Sequence, residues 1–379
     1  MAIVKYNSIS VTKGIGIIFV VIAHSFAQKG ILADFICLFH MPLFYFVSGY
    51  CFKEKYLNEK FIFFKRSIKT LYIPFVLTNF IFICLHNTFY ELNIYNNEYG
   101  FGNGVSHLYT KDEILRQCFY TIRFKGQEQL LGGFWFLCSL FFARLLFLWS
   151  LWIYIRMKGN TKVLTLLLLS AFVFCSYGCS VRGLFGSREV FGAILIACGY
   201  MYRYLETTYK VSSVKCLNLV AGGGGKINMK KLYVIISFSI VVVYAIFRPL
   251  YFSSMPWTIE RLDYIIPSLC GSIICYEIAK LKYFENNKFL QFAGDNSLTI
   301  LALHFISFKF VSLIYLYVNG ESICKLSQFA VLWESPGYLW IFYSLVGVLT
   351  PLLFKYIYLK LSYKSNEGLL FHIRRKRRI

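Results

Sequence analysis

Two ionisable residues, Lys13 and His24, lie in the first apolar segment of the chain. That segment runs from about residue 8 to residue 26, which is long enough for a helix to cross a lipid bilayer. The two residues are eleven positions apart, so on an α-helix they share one face and lie about 16 Å apart along the axis. Because an ionisable side chain is costly inside a membrane, such a residue is functional by default. The spacing indicates a cation near one surface and a proton-transfer group deep in the same helix.

The second apolar segment contains a proline with polar residues on either side of it. The run FHMPLFYFVSG covers residues 39–49, and its Pro42 interrupts the hydrogen bonding of a helix that would otherwise cross the membrane. A helix broken at membrane depth is tolerated where it lines a protein-packed or water-filled cavity. We expect His40 to face that cavity, and a buried histidine bonded to a neighbouring helix is the alternative. Ser48 is a further polar candidate for the cavity.

A pair of basic residues, Arg66 and Lys69, precedes the third apolar segment. Because they are three positions apart, they are neighbours on a helix surface and together suit one phosphate group. Basic residues at this place are also what the orientation of a membrane protein requires. Both interpretations, a phosphate clamp and an orientation signal, stay open on these residues alone.

Two later runs add candidates for the same site. The run GGFWFL places Trp135 at the start of the fourth apolar segment, where aromatic residues are common at the membrane interface. The run GDNSL precedes the ninth segment, and its Asp295 or Ser297 is the expected N-cap. His304 follows about two turns into that segment.

Composition places all these residues in a polytopic membrane protein. The chain is 58% hydrophobic and only 15% charged, whereas soluble domains are nearer a quarter charged. Long apolar runs recur along the whole chain, and they are continuous rather than alternating as in a membrane β-barrel. We therefore predict an all-α fold of about ten transmembrane helices, near residues 8–26, 31–52, 71–90, 131–153, 162–179, 188–205, 231–247, 262–281, 298–318 and 338–360.

The formal charge of +22 is distributed as in a membrane protein and not as in a nucleic-acid-binding protein. With the N-terminus in the cytoplasm, 28 of the 40 lysines and arginines fall on the cytoplasmic side and 10 on the outer side, as the positive-inside rule requires. We predict that both termini are cytoplasmic in a plasma or inner membrane. Residues 1–365 form the predicted membrane domain, and 366–379 form a basic tail that contacts anionic lipid. The scattered cysteines lack the spacing of a metal site, so no metal is predicted.

Together these runs resemble the acyltransferase family 3 membrane proteins, in particular the branch similar to fucose 4-O-acetylase and polysaccharide O-acetyltransferases. The runs occur in the family's order, from the first segment to the ninth. Lysine stands at position 69, where arginine is usual in the family, and this weakens bidentate phosphate recognition. The residues that carry the resemblance are Lys13 and His24 with ten residues between them, FHMPLFYFVSGY at 39–50, the helix start with Arg66, Lys69 and Pro74, GGFWFL at 132–137, and GDNSLTILALH at 294–304.

The resemblance implies transfer of an acyl group, usually acetyl from acetyl-CoA, to a hydroxyl of a cell-surface glycan or its lipid-linked precursor. It implies that Lys13 and His24 form the donor and catalytic site, and that Lys13, Arg66 and Lys69 hold the phosphates of coenzyme A at the cytoplasmic face. His24 then acts as general base on the acceptor hydroxyl or accepts the acyl group itself, and both routes stay open.

The implied partners are acyl-CoA, the glycan acceptor and membrane lipids, without nucleic acid, and the oligomeric state is left open. The alternative is a transporter or flippase for a glycolipid, which also requires polar residues at mid-membrane. The predicted spans contain almost no Asp or Glu, which disfavours ion-coupled transport.

Overall fold

The computed structural model describes residues 7–28, 30–100, 105–176, 180–181, 185–209, 229–252 and 263–376. Helices dominate these residues, and two short strands, β1 (Ser180–Val181) and β2 (Phe185–Gly186), pair antiparallel. The α-helices are α1 (Asn7–His24), α2 (Ile31–Cys37), α3 (Pro42–Tyr50), α4 (Lys60–Ser67), α5 (Ile73–Glu91), α6 (Lys111–Ile122), α7 (Trp135–Arg156), α8 (Thr161–Ser176), α9 (Ser187–Tyr209), α10 (Met229–Phe247), α11 (Ile265–Ala279), α12 (Lys282–Glu285), α13 (Lys288–Asp295), α14 (Ser297–Asn319) and α15 (Leu339–Lys376). Short 3₁₀ segments lie at Glu54–Leu57, Gln129–Phe134 and Ile323–Ser327, and a π-helical turn lies at Ile68–Tyr72.

Six helical stretches in the described residues are long and apolar enough to cross a membrane. Shorter apolar helices at Thr161–Ala171, Leu232–Phe247 and Ile265–Ala279, together with α9, coincide with the other predicted spans. The prediction of an all-α polytopic membrane protein is confirmed. Below, "inner" and "outer" denote the two sides predicted from the distribution of basic residues. The six long stretches are Asn7–His24, Ile31–Tyr50, Lys60–Glu91, Gln129–Arg156, Ser297–Asn319 and Leu339–Ser362.

The second predicted span is broken where the proline predicts a break. α2 ends in a turn, and α3 begins at Pro42. Two hydroxyl groups from the region of α11 donate hydrogen bonds to the carbonyl groups that the break exposes. The Tyr264 hydroxyl lies 2.9 Å from the carbonyl oxygen of Cys37, and the Ser268 hydroxyl lies 3.0 Å from the carbonyl oxygen of Leu38. A backbone carbonyl at membrane depth requires such a partner. The break is therefore a fixed part of the fold.

Two glycines bring the backbones of α1 and α13 into contact. A Cβ atom added at Gly14 would overlap the carbonyl oxygen of Leu290, and one added at Gly294 would overlap that of Ser10. Any larger residue at either position would push the two helices apart. This contact therefore fixes the position of α1 relative to α13 and to the start of α14.

Asp295 strengthens the same contact and does not cap α14. The Ser10 hydroxyl donates a hydrogen bond to the Asp295 carboxylate at 2.6 Å. The N-cap position of α14 is occupied by Asn296, whose side chain makes no capping bond and donates to the carbonyl of Phe292 at 2.8 Å. The expectation that Asp295 or Ser297 caps this helix is wrong, because the GDNSL run serves the packing of two helices.

The helix that carries Arg66 and Lys69 changes pitch between the two residues. A π-helical turn at Ile68–Tyr72 joins α4 to α5. Pro74 follows this turn, and its ring excludes the backbone hydrogen bond to the carbonyl four residues earlier. The wider turn accommodates the missing bond, and π-helical turns are frequent at functional sites.

A short amphipathic helix, α6, follows the polar part of the longest outer loop. Its first turn has a capping box, in which the Thr110 side chain accepts from the backbone of Glu113 and the Glu113 side chain accepts from the backbone of Thr110. Hydrogen bonds from the Thr110 backbone, and from the His107 and Thr110 side chains, lower the pKa of Glu113 to about 2. The cap therefore stays ionised well below neutral pH.

Candidate active site

His24 and His304 meet, although 280 residues separate them in the chain. His24 is the last residue of α1 and is partly exposed, whereas His304 is fully buried on α14. The Nε2 atom of His304 lies 3.3 Å from Nδ1 of His24, and the two rings stack at 26° with centroids 5.3 Å apart. His24 ends α1 instead of lying deep inside a longer helix, because the chain turns at Ser25 toward α2.

The carbonyl groups of α14 determine which nitrogen of His304 carries a proton. Its Nδ1 atom lies 3.1 Å from the carbonyl oxygen of Ile300 and 3.0 Å from that of Leu301. Because a carbonyl only accepts hydrogen bonds, Nδ1 donates, and Nε2 of the neutral ring has the lone pair. His24 must then donate from its own Nδ1 to His304. This leaves the lone pair of His24 on Nε2, which is the protonation state of a general base.

His40 lies on the turn between α2 and α3. Its Nδ1 atom lies 2.9 Å from the carbonyl oxygen of Ile36, so it donates to its own preceding helix and has its lone pair on Nε2. His40 is buried and lines the same cavity as His24. The broken span therefore adds a second neutral imidazole to this cavity.

A cavity of about 110 Å³ lies beside these two histidines. At about 30 Å³ for the liquid volume of one water molecule, it has room for a few small groups. Its wall is mostly apolar and aromatic, and the rings of Trp135 and Phe252 are stacked at 22°. The lining residues are Val20, Ala23, His24, Cys37, His40, Met41, Gly133, Trp135, Tyr251, Phe252 and Leu301.

The 3₁₀ segment Gln129–Phe134 passes close to His304 because it contains a glycine at the contact. A Cβ atom added at Gly133 would lie 2.9 Å from a methyl carbon of Leu301 and 3.8 Å from Cε1 of His304. A residue with a side chain would therefore displace Leu301, whose carbonyl fixes the His304 ring. The glycine of the GGFWFL run keeps this wall of the cavity close to the histidine pair.

A buried polar network holds the start of this segment. The backbone N–H of Glu128 donates to the side-chain oxygen of Asn79 on α5 at 3.1 Å. The Glu128 carboxylate accepts from the hydroxyl of Tyr95 at 3.2 Å and lies 3.3 Å from Nδ1 of His86. Glu128 and His86 are both buried. The network therefore anchors the cavity wall to α5 and to the outer loop.

A basic cluster lies at the inner end of α3. Four basic side chains lie close enough to the thiol of Cys51, the residue after α3, to act on it electrostatically. They are Lys13, Arg66, Arg144 and Arg203. They come from α1, α4, α7 and α9. Within the described part of the chain, none of the four forms a salt bridge with a carboxylate. A cluster of uncompensated cations is a suitable site for phosphate groups.

Two members of the cluster have hydrogen-bond partners in the fold. Arg66 donates from Nη1 to the hydroxyl of Tyr56 at 2.7 Å. Arg203 donates from Nη1 to the carbonyl of Tyr50 at 3.1 Å and to the carbonyl of Phe52. These bonds fix the direction of each guanidinium and hold the chain that leaves α3.

The predicted site residues fall into two groups. Lys13 belongs to the basic cluster, about 16 Å along α1 from His24, and does not line the cavity described above. Lys69 is exposed in the π-helical turn, and Ser48 is half-buried on α3 outside the cavity lining. The roles of Lys69 and Ser48 stay predictions.

Two members of the cluster had no assigned role in the sequence. Arg144 lies within an apolar helix, which is itself a signal of function in a membrane protein. Arg203 lies near the inner end of α9, where the sequence indicates only an orientation signal. Their proximity to Lys13 and Arg66 depends on the packing of four helices, and no spacing in the sequence records it.

Comparison with known proteins identifies the family. The sequence profile of a family described as an acyltransferase domain, acyltransferase family 3, matches residues 6–359. No curated protein and no solved structure matches the chain. Since the match covers nearly the whole sequence, including the histidine pair and the basic cluster, the chain belongs to acyltransferase family 3 and is a membrane acyltransferase.

Proposed function

We propose that the protein transfers an acyl group, most simply acetyl, from acyl-CoA on the inner side to a hydroxyl of a cell-surface glycan or its lipid-linked precursor. The observation that carries this proposal is the hydrogen bond between the buried His304 and His24, which lines a small cavity. The basic cluster at the other end of α1 supports a donor that carries phosphate groups. The family assignment supports acyl transfer over the transport of a glycolipid.

The proton arrangement of the histidine pair supports His24 as the base. Its Nε2 lone pair takes the proton from the acceptor hydroxyl while the hydroxyl oxygen attacks the thioester carbonyl. The carbon–oxygen ester bond forms, the carbon–sulfur bond breaks, and the proton passes from His24 to the departing sulfur of coenzyme A. In the covalent route the same lone pair attacks the thioester carbonyl, the carbon–sulfur bond breaks, and coenzyme A leaves as a thiolate. The acceptor oxygen then attacks the acyl carbon, the carbon–nitrogen bond to His24 breaks, and the hydroxyl proton passes to the thiolate.

Coenzyme A is large and anionic, and its phosphates match the charge of the basic cluster. Lys13 and Arg66 are the proposed phosphate contacts, with Lys69 as a further contact from the exposed helix face. The slender and largely uncharged acyl-pantetheine arm then extends along α1 toward His24. This arrangement places the phosphate contacts far from the reacting carbonyl, where they contribute to binding of the donor rather than to the chemical step.

The size and lining of the cavity support a short acyl group and a sugar acceptor. A volume of about 110 Å³ suits an acetyl group and a hydroxyl, whereas a long acyl chain needs a longer cavity. Trp135 and Phe252 contribute aromatic surface to the cavity lining, which suits contact with the apolar face of a sugar. His40 provides a lone pair that can orient the acceptor hydroxyl.

The proposal is tested by the mass of the surface glycan. Cells that lack the gene should lose the mass of one acetyl group per modified repeat unit, and the wild-type gene should restore it. His24→Gln should not restore it, because glutamine keeps polarity and similar size but takes up no proton near neutral pH. Loss of a general base typically costs about 10²- to 10⁴-fold in rate.

Protein abundance in the membrane provides the control for that experiment. His24→Gln should accumulate to the wild-type level, since His24 is partly exposed at the end of a helix. Near-normal glycan acetylation by this variant would exclude both the general-base and the acyl-histidine routes. A glycan whose mass does not change when the gene is lost would reject the proposed acceptor class.

A further inference from the structure

Arg144 is the most unusual member of the basic cluster. It lies on α7, twelve residues before the end of that helix at Arg156, and thus about 18 Å from the inner end. Its guanidinium lies over the ring of Phe63 at 4.7 Å. Its Nε–H is buried and has no acceptor among the described residues.

No carboxylate among the described residues forms a salt bridge with Arg144. Arg66 and Arg203 each donate to an acceptor in the fold, but Arg144 donates no hydrogen bond to any residue that the structure describes. Arg66, which has the same charge, lies close enough to act on it. Burying a guanidinium N–H without an acceptor, beside another cation, is unfavourable. An arrangement of this kind is retained where a bound anion supplies the missing charge and acceptors.

We propose that Arg144 is a binding residue for the pyrophosphate group of the acyl donor, inside the membrane-spanning part of the protein. This inference rests on the proposed function, and it adds to it the class of donor that the site selects. A guanidinium can donate two parallel hydrogen bonds to phosphate oxygens. The bound phosphate would therefore accept hydrogen bonds from the N–H groups of Arg144 and reduce its electrostatic repulsion with Arg66.

The burial of Arg144 favours one of the phosphates of coenzyme A as its partner. In coenzyme A the pyrophosphate joins the pantetheine arm, whereas the 3′-phosphate lies on the ribose at the far end. Arg144 is less exposed than Arg66, and its Nε–H is buried, so we assign it to the phosphates nearest the arm, which enters the protein. A donor with a pyrophosphate is thereby favoured over a pantetheine thioester without phosphate groups.

Three donors that carry both the 3′-phosphate and the pyrophosphate, the pyrophosphate alone, or neither test this assignment, and the third also lacks the adenosine. For Arg144→Gln, the KM for acetyl-CoA and for acetyl-dephospho-CoA, which lacks the 3′-phosphate, should rise by about 10- to 150-fold, the effect of losing a charge-assisted hydrogen bond. The KM for S-acetylpantetheine, which has no phosphate, should stay as in the wild type. Arg156→Gln is the matched control, because it removes an exposed arginine from the same helix and should change none of the three values.

Thermal unfolding in detergent separates a ligand contact from a structural role. Because Arg144 has no hydrogen-bond or salt-bridge partner among the described residues, Arg144→Gln should keep or raise the Tm of the protein without donor. The increase in Tm that coenzyme A gives the wild type should shrink in the variant, since stabilisation by a ligand follows its affinity. Anionic lipid vesicles replace coenzyme A in a second arm, and an increase there that the variant loses would assign the phosphate to a lipid headgroup and overturn the proposal.

Other outcomes also overturn the assignment. An equal rise in KM for all three donors would mean that Arg144 acts on the thioester or on the architecture of the site. A rise for acetyl-CoA alone would place Arg144 at the 3′-phosphate. If the wild type itself neither binds nor uses acetyl-CoA, the proposed function fails, whereas normal use of acetyl-CoA by Arg144→Gln rejects only the role of Arg144.

Discussion

His304 is proposed to act through His24, and its removal should slow turnover without weakening donor binding. His304→Ala removes the acceptor of the Nδ1–H bond, which fixes both the direction and the tautomer of the His24 ring. His304 does not line the cavity described above, so the variant keeps the surface that the donor contacts. We therefore expect kcat to fall and the KM for acyl-CoA to stay constant.

The magnitude follows from the change of charge on His24 during the reaction. In the resting enzyme the bond joins two neutral rings and contributes about 0.5–1.5 kcal/mol. Once His24 holds the proton of the acceptor, its Nδ1–H donates from a cation, and such a bond contributes about 1.5–3 kcal/mol. Because His304→Ala loses both bonds, only the difference between them, about 1–1.5 kcal/mol, raises the barrier, and kcat should fall by about 5- to 15-fold. His304→Gln, whose side-chain oxygen can accept the same bond, should recover part of this loss.

The assay measures release of coenzyme A thiol by purified variants in detergent, with acceptor glycan present. A double variant provides the decisive comparison, since two residues that act as a unit have non-additive effects. His24→Ala with His304→Ala should be no slower than His24→Ala alone. Fully multiplicative losses would refute the coupling of the two rings, and a raised KM at constant kcat would show that His304 serves donor binding.

Other contacts lead to further expectations. Arg66→Ala should raise the KM for acyl-CoA by about 10- to 150-fold at similar kcat, and donor saturation curves check this; an unchanged KM would leave Arg66 as an orientation signal. Gly294→Val should lower the free energy of unfolding by about 1–3 kcal/mol or more, because its side chain overlaps the carbonyl of Ser10. Thermal unfolding measures the loss, with Gly337→Ala, at a site with open space, as the control that should keep the wild-type Tm. Reporter fusions after residues 60 and 215 should be cytoplasmic and one near residue 100 external, and an external signal at 215 would overturn the ten-span topology.

Local features of the fold could be predicted from the sequence, because each depends on residues close together in the chain. Pro42 breaks the second span by removing a backbone donor, and the apolar runs fix where the helices lie. The contact of His24 with His304 could not be predicted, since it depends on how α1 crosses α14. The GDNSL run contributes to that crossing through Gly294, although its residues have the types of a helix cap.

The same limit applies to the basic cluster. Lys13 and Arg66 were recognised because each lies in a short run with a characteristic spacing. Arg144 and Arg203 lie on different helices and in no run with a characteristic spacing, and only the packing of α3, α4, α7 and α9 brings them to the same place. Sequence periodicity describes one helix at a time and does not record which helices are neighbours.

α1 fixes the geometry between the two ends of the proposed reaction. Lys13 and His24 are parts of one uninterrupted helix, and the backbone contact at Gly14 leaves that helix little room to slide. Deleting one residue between them would shorten the separation by only about 1.5 Å but would turn His24 by about 100° away from His304. The rotational position of His24 on the helix therefore matters more than its distance from Lys13. A flexible pantetheine arm can span a distance that is shorter by about 1.5 Å, but a new side-chain rotamer of His24 cannot compensate for a rotation of about 100° around the helix axis.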